Sequence, residues 1–299
     1  MKTLFAFIRR NVKLFFKDKG MFFTSLITPL ILLVLYATFL SNVYKDSFAS
    51  ALPDGFTIPE TLLNGAVASQ MISALLAVCC VTIAFCANLL MIGDKASGSI
   101  RDFTVSPVRK SVMALGYYVS SAVTTLTVTF TALVLCFIYL AFQGWYLTFA
   151  DVLLVVLDVL LLTLFGTALS SCINFFLFTN GQASAVGTIV SAGYGFLCGA
   201  YMPISSFPEA LQNVLKGLPG TYGTSLLRNH MMRGVFAEME SIGFPAEVMV
   251  GIKDGIDCNL YFGETAVSMT MMGVIMAGSI LLFTGIFVAF NMFIKQKGK

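Results

Sequence analysis

Ionisable side chains are scarce in this sequence, so any chemistry must depend on a few of them. Charged residues make up 11% of the chain, and His230 is its single histidine. The densest group is MIGDKASGSIRDFTVSPVRKS at 91–111, where six of 21 residues are charged between long apolar segments. Mixed charge on a short element suits docking against a partner surface, whereas a solvated, positively charged anchor is the simpler interpretation.

One carboxylate, that of Asp158, falls well inside an apolar segment. Ionisable groups are costly in such surroundings and often mark a functional site. Two interpretations stay open for Asp158: contact with a bound molecule, or a structural role beside a polar neighbour or a wet cavity. Asp151 lies where a helix would begin, and an acid there is explained by the helix dipole.

The motifs that catalysis needs are missing from the sequence. It contains no HExxH or GxSxG pattern, which argues against a membrane protease. It also lacks GxxxxGK[ST], so it has no loop of this type to hold the phosphates of ATP. We therefore predict that the chain is not an enzyme by itself and has neither a metal site nor a cofactor of its own.

The cysteines have no metal-ligand spacing, and most fall in apolar runs where cysteine acts as a small hydrophobic residue. Whether Cys198 and Cys258 pair is left open by the sequence. The seven cysteines are Cys79, Cys80, Cys86, Cys136, Cys172, Cys198 and Cys258.

The composition predicts an all-α integral membrane protein. Hydrophobic residues make up 58% of the chain, against about 45–50% in soluble domains, and the mean hydropathy is +0.88. A helix needs about 20 apolar residues to cross a bilayer, and helices satisfy their own backbone hydrogen bonds there. We predict six transmembrane helices in one domain spanning 1–299. The predicted spans are 21–43, 66–91, 112–141, 152–178, 182–201 and 266–294.

Lysine and arginine predict the orientation of these spans. Residues 1–20, 92–111 and 295–299 contain 13 of the 18 basic residues. The positive-inside rule therefore places both termini and the 92–111 loop in the cytoplasm, and the 202–265 segment on the outer side. An even number of spans agrees with this arrangement.

Residues 1–20 are predicted to form an amphipathic helix in the cytoplasmic interface, although a simple basic flank to the first span remains an alternative. Its apolar face would contain Leu4, Phe5, Ile8, Val12, Phe15 and Phe16, and its basic face Lys2, Arg9, Arg10, Lys13 and Lys17.

Residues 202–265 carry helix signals of their own. Ser206 to Glu209 reads as a capping box with proline in the first turn, and Gly217 with Pro219 would end that helix. A second short helix is predicted over 224–232. These helices would lie on or dip into the outer side of the membrane.

Two stretches resemble the permease subunits of type-2 (type V) ATP-binding-cassette exporters, the class shared with sterol and drug half-transporters. DKASGSIRDFTVSPVR at 94–109 is similar to the family's loop pattern R-E-x-G-T-L-E-x-L-x-x-T-P-x-x-R, with its charged pair reversed at Asp94–Lys95. GAYMPISSFPEALQNVLKGLPGTYGTSLLR at 199–228 is similar to the family's re-entrant outer helices. With six spans and the N-terminal helix, the resemblance covers the whole chain.

The resemblance implies that residues 92–111 form a coupling helix for a separate ABC ATPase (nucleotide-binding) subunit, which would bind ATP and Mg. It also implies a second permease copy or a sister permease, contact with membrane lipid, no nucleic acid and a location in a bacterial plasma membrane. The implied coupling residues are Asp94, Lys95, Gly98, Ile100, Arg101, Asp102, Phe103, Pro107 and Arg109.

The same resemblance implies that spans two and five line a substrate path at the axis of a dimer. Gly187, Ser191, Gly195 and Gly199 recur every four residues, which favours close helix approach but also suits packing within one subunit. Phe196 and Leu197 would form an apolar plug. The second-span residues of the path would be Ser73, Cys80, Ile83, Ala84 and Ala87.

Two other classes compete with the exporter interpretation. A channel without ATP coupling would need a polar or charged pore lining, and the spans offer Asp158 and scattered serine and threonine. A lipid-processing membrane enzyme would need paired acids or a metal cluster. The exporter interpretation predicts a hydrophobic or amphipathic cargo, such as a drug, a peptide antibiotic or a lipid.

Overall fold

The computed structural model describes residues 2–36, 38, 41–42, 45, 58–100, 108–263 and 265–293. This part of the chain is almost entirely helical, with a two-stranded hairpin as its single sheet. The helices are α1 (Lys2–Lys17), α2 (Lys19–Leu35), α3 (Glu60–Ala87), α4 (Leu89–Ala96), α5 (Lys110–Gln143), α6 (Phe149–Asn174), α7 (Asn180–Leu197), α8 (Glu209–Lys216), α9 (Pro219–Ser241), α10 (Ala246–Gly255) and α11 (Met269–Phe293); the strands are β1 (Tyr261–Phe262) and β2 (Thr265–Ala266).

Four helices among the described residues are long and apolar enough to cross a membrane. They correspond to the predicted second, third, fourth and sixth spans. Their ranges are Glu60–Ala96 (α3 with α4), Lys110–Gln143, Phe149–Asn174 and Met269–Phe293. The protein is therefore a helical integral membrane protein, and the six-span topology stays a prediction.

The two remaining predicted spans are shorter in the described part of the chain. α2 has 17 residues, and half of the remaining residues of the predicted 21–43 span lie outside the described residues. α7 has 18 residues rather than the 20 predicted at 182–201. It ends at Leu197 because Gly199 adopts φ +69, a left-handed conformation that favours glycine.

Helix α3 lies at the centre of the bundle, packed against α2, α5, α6, α7 and α9. Nearly every side chain from Gly65 to Ala87 is buried. Small residues allow the neighbours to come close: a Cβ at Gly166 of α6 would lie 2.8 Å from the carbonyl oxygen of Cys80. Close packing of this kind stabilises helix association in lipid, where the hydrophobic effect does not bring helices together.

Helix α9 corrects the prediction of a short helix over 224–232. It continues for 23 residues from Pro219 to Ser241 and packs between α3, α6 and α11. The polar composition of α9 makes its length hard to predict, because some of its polar side chains, such as Arg228 and His230, are largely buried and paired with neighbouring elements. A side chain at Gly234 would collide with the backbone carbonyl of Tyr146, so glycine is required for this approach.

The predicted capping box at 206–209 is wrong. Ser206 belongs to a 3₁₀ turn, Ile204–Ser206, and α8 begins at Glu209 after Pro208, without a side-chain cap. The extended backbone of Pro208 (φ −56°, ψ 146°) takes the N-cap position instead. The predicted end of this helix is confirmed, since Gly217 is its C-cap.

The face of α1 that packs against α5 includes residues outside the predicted apolar face. Phe5 is 70% exposed, whereas Asn11 is buried and donates to the hydroxyl of Ser120 on α5. α1 turns this way because the ring of Phe7 packs edge-on against Tyr117 of α5, with ring centroids 5.0 Å apart. The predicted N-terminal helix is therefore confirmed over Lys2–Lys17, and its placement in the membrane interface stays a prediction.

Candidate functional site

Asp94 of α4 is held inside the chain by side chains from two other helices. Its carboxylate accepts hydrogen bonds from both terminal nitrogens of Arg10 on α1, at 2.9 and 3.0 Å. The phenol of Tyr117 on α5 donates a third bond at 2.7 Å. These bonds raise the pKa of Arg10 above its ordinary value, although burial opposes the shift. Together they tie α4 to α1 and α5.

Lys95 ties the same helix to the end of α6. Its ammonium donates to the carbonyl oxygens of Asn174, Phe175 and Leu177 at 3.1, 2.6 and 3.2 Å. It also lies 5.0 Å from the ring centroid of Phe178. A cation is stabilised here because the last carbonyls of a helix carry its negative dipole.

Asn88 forms the joint between α3 and α4. Its side chain is fully buried and accepts from the hydroxyl of Ser121 on α5 at 2.8 Å. Its amide donates to Ser170 and Ser171 on α6. The joint is therefore fixed to both neighbouring spans. No sequence motif includes Asn88; its polar side chain between apolar runs was the available signal.

The other implied coupling residues are placed in part. Gly98 adopts φ +79 just beyond α4, and Ile100 is half-buried. Arg109 is exposed at the N-cap of α5. Arg101, Asp102, Phe103 and Pro107 lie outside the described residues. The structure thus shows Asp94 and Lys95 bonding within the chain, and the contact with an ATPase subunit stays a prediction.

The second-span residues assigned to a substrate path face other helices of the same chain, and their role in a path stays a prediction. All five are buried inside the single chain, because that face of α3 packs against α6 and its other neighbours. The Cys80 thiol, for example, lies 3.8 Å from the carbonyl oxygen of Val159 on α6. The five residues are Ser73, Cys80, Ile83, Ala84 and Ala87.

The fifth-span residues divide into two groups. Gly187 and Ser191 are half-buried, and Phe196 and Leu197 are each 46% exposed. Gly195 and Gly199 are buried by contacts within the chain: Gly195 faces the Tyr201 ring, and Gly199 lies beyond the helix. The small-residue stripe therefore does not run along one continuous helical face.

Asp158 pairs with His230, so the structure supports the structural interpretation of this carboxylate. Nδ1 of His230 lies 2.6 Å from Oδ2 of Asp158, joining α9 to α6. Further along the same two helices, Nε of Arg233 lies 3.3 Å from the carboxylate of Asp151. Asp151 also completes a capping box with Thr148, as its position suggested.

Arg228 joins α9 to the two segments that follow α7 and α10. It donates to the carbonyl oxygens of Ile256 and Gly199, and it lies 3.8 Å from the carboxylate of Asp257. Burial raises the pKa of Asp257, while the charge of Arg228 opposes that shift. Like Asp158, Arg228 fastens α9 to its surroundings.

No cluster of three or more His, Cys, Asp or Glu side chains that could hold a metal occurs among the described residues. Each of the seven cysteines, all within the described ranges, is a free thiol, so Cys198 and Cys258 are not paired here.

The fold and this site define a membrane-embedded helical bundle in which the short helix α4 is bonded to α1, α5 and α6. A family model described as ABC-2 type transporter matches residues 2–232. The chain belongs to this family, and it is a permease component of an ABC transporter. No curated protein matches the sequence.

Proposed function

We propose that this protein is the membrane-spanning subunit of an ATP-driven exporter for a hydrophobic or amphipathic cargo. A separate ATPase subunit supplies ATP hydrolysis, and the termini and the 92–111 loop face the cytoplasm. The membership in the ABC-2 family and the basic residues at 1–20, 92–111 and 295–299 support this arrangement. Six spans complete it, with α2 and α7 in the first and fifth.

The observation that carries the proposal is the attachment of α4. Asp94 binds it to α1 and α5, Lys95 binds it to the end of α6, and Asn88 fixes its junction with α3. A displacement of α4 is therefore passed to four helices at once. This is the mechanical connection that an ATPase needs if it acts on the spans from the cytoplasmic side.

The residues that follow α4 would contact the ATPase. Gly98 lies two residues after the end of α4 and adopts a left-handed conformation, with φ +79. Exposed Arg109 is at the N-cap of α5. In this arrangement the loop binds the partner, whereas Asp94 and Lys95 hold the loop's base in position.

The path for cargo is best assigned to the open side of α7. α3 covers one side of α7, while Phe196 and Leu197 remain exposed near its end. A second copy of the chain, or a sister permease, would face this side and enclose the path. Gly187 and Ser191 would keep that interface close.

The test is coupling in nanodiscs between the protein and the ATPase encoded beside it. We expect the pair to hydrolyse ATP and the chain alone to be inactive. Lys95→Met removes the hydrogen bonds to the end of α6 while keeping an apolar side chain of similar length. It should leave assembly intact and remove at least about half of the stimulation of hydrolysis by cargo.

Lys216→Met, at the end of α8 in the predicted outer segment, is the matched control and should behave as wild type. If no ATPase associates with the chain, the exporter proposal is wrong. Conductance measurements would then test the channel alternative. If Lys95→Met retains full stimulation, the attachment of α4 to α6 does not transmit force.

A further inference from the structure

A groove of about 270 Å³ lies between α1 and the start of α5. Its walls are formed by Thr3, Ala6 and Phe7 of α1 with Val108, Val112 and Met113. Arg10 is the one charged residue among the described residues that line it. The volume and the apolar walls suit a segment of hydrocarbon chain better than a polar solute.

Two basic residues lie next to the groove lining along the chain. Arg109 and Lys110 are exposed and lie in sequence between the lining residues Val108 and Val112. In the described part of the chain neither forms an ion pair, and no side chain caps the N-terminus of α5 there. The dipole of this 34-residue helix adds to their attraction for an anion.

Arg10 contributes little to this attraction, because Asp94 already balances its charge. Any selectivity of the groove for an anionic lipid headgroup must therefore come from Arg109 and Lys110. A zwitterionic headgroup would bring its own cation next to them, and an anionic headgroup would not.

We propose that the groove binds one phospholipid with an anionic headgroup, its acyl chain along Ala6, Phe7 and Met113 and its phosphate beside Arg109 and Lys110. This inference rests on the proposed function, which places α1 and the start of α5 at the cytoplasmic face. Phe5, which is 70% exposed beside the groove, is suited to the same lipid layer.

A tryptophan reporter tests the proposal with the full chain in vesicles and without any ATPase. The chain has a single tryptophan, Trp145, whose ring packs against Phe137. Trp145→Phe keeps an aromatic ring there and removes the native signal. Thr3→Trp then places the reporter at the groove. Quenching by brominated phosphatidylglycerol and brominated phosphatidylcholine gives the relative binding constant of the two lipids.

We expect phosphatidylglycerol to bind at least about fivefold more tightly than phosphatidylcholine at the Thr3→Trp reporter, the effect of one basic residue near a charged headgroup. Native Trp145, about 50 Å away along α5, is the reference site and should show a ratio near one. Adding Arg109→Gln with Lys110→Gln should remove most of the preference. Ala6→Phe should reduce quenching by both lipids, because it fills the groove without changing charge.

Lys13→Gln with Lys17→Gln is the matched control, since it removes two exposed charges from α1 outside the groove lining. It should keep most of the preference. The proposal is wrong if both tryptophan positions show the same ratio of phosphatidylglycerol to phosphatidylcholine binding. It is also wrong if the two double substitutions reduce this ratio equally, because the basic residues would then attract anionic lipid only in a general way. Because no ATPase or cargo is present, such a failure would not bear on the exporter function.

Discussion

At the scale of single residues, the buried charges of this protein are used mainly to join its own helices. Asp94 bonds to Arg10, Asp158 to His230, and Arg228 lies near Asp257. In an apolar environment an unpaired charge is costly, so each pair fixes two elements relative to each other. Removing one partner should lower the stability of the protein mainly because the other charge is left buried and unpaired.

The pair of Arg10 and Asp94 gives the first prediction. Arg10→Gln removes two hydrogen bonds from a carboxylate whose residue is 6% exposed, so we expect a loss of about 1–3 kcal/mol of stability. Asp94→Asn should cost a similar amount. The double variant should cost less than the sum, by about 1 kcal/mol, if the two side chains act together. Thermal unfolding in detergent micelles measures all three.

Arg9→Gln is the control for this cycle, because Arg9 is the exposed neighbour of Arg10 on the same helix. It should leave the unfolding temperature close to wild type. Strict additivity of the two single substitutions would show that Arg10 and Asp94 are not coupled.

A second prediction concerns the thiol of Cys258. Burial raises the pKa of Cys258 to about 12, against the lowering effect of Arg228 and Lys253. At pH 8 only about one thiol in ten thousand would be ionised, and the thiolate is the reactive form. We expect iodoacetamide to leave Cys258 unmodified between pH 7 and pH 9 in the folded protein, as read by peptide mass spectrometry.

An exposed reference for this measurement is Ser241→Cys, at the end of α9. The new thiol should be alkylated at a rate that rises with pH. Alkylation of Cys258 at the same rate would show that this segment opens readily.

At the scale of elements, close packing of α3 with α6 depends on Gly166. A Cβ at Gly166 would lie 2.8 Å from the carbonyl oxygen of Cys80 and 2.9 Å from Cα of Val81. Both are backbone atoms, so the two helices must move apart. We expect Gly166→Ala to destabilise the protein by about 1–3 kcal/mol, the usual cost of overpacking. Fluorescence-detected size-exclusion chromatography after heating would measure the loss.

Gly278→Ala on α11 is the comparison, because a Cβ there would meet no atom within 4 Å. It should be neutral or slightly stabilising, since alanine favours a helix over glycine by about 0.8–1 kcal/mol. Equal behaviour of the two variants would show that α3 and α6 can separate at little cost.

The sequence was most informative where a helix is uniformly apolar. The predicted spans at 112–141 and 152–178 agree with α5 and α6 to within a few residues, because lipid-length apolar runs leave few alternatives. α9 was underestimated because its hydrophilic residues, such as Arg228 and His230, are matched by partners far away in the sequence. Periodicity within one segment cannot reveal such partners.

Distant partners also explain why the candidate site could not be predicted in full from the sequence. A charged loop was evident in the sequence, but the assignment of Asp94 to a partner surface could not be checked without knowing that Arg10 and Tyr117 reach it. The assignment of one face of α3 to a substrate path could not be derived from its composition, because α3 is largely apolar on every side and a core face then looks like a path.

At the scale of the whole molecule, α7 packs against other helices on one side only. It contacts α3 and α4 on one side, while its other side exposes Gln182, Ser184, Thr188 and Ala192. α11 exposes mainly large apolar side chains, such as Leu281, which is 75% exposed, whereas the exposed surface of α7 mixes polar residues with apolar ones such as Ile189. Lipid suits the surface of α11, but hydroxyl and amide groups on a membrane helix favour contact with protein or an aqueous path.

The last prediction follows from this difference. If two copies face each other across α7, Ala192→Cys should form a disulfide between copies under mild oxidation in membranes. Leu281→Cys, equally accessible but on the lipid-facing surface of α11, should remain monomeric. Native cysteines interfere little, because six of the seven are buried. Non-reducing electrophoresis separates the outcomes. Strong cross-linking through Leu281→Cys with none through Ala192→Cys would move the interface to α11, and the path assigned to α7 would then face lipid.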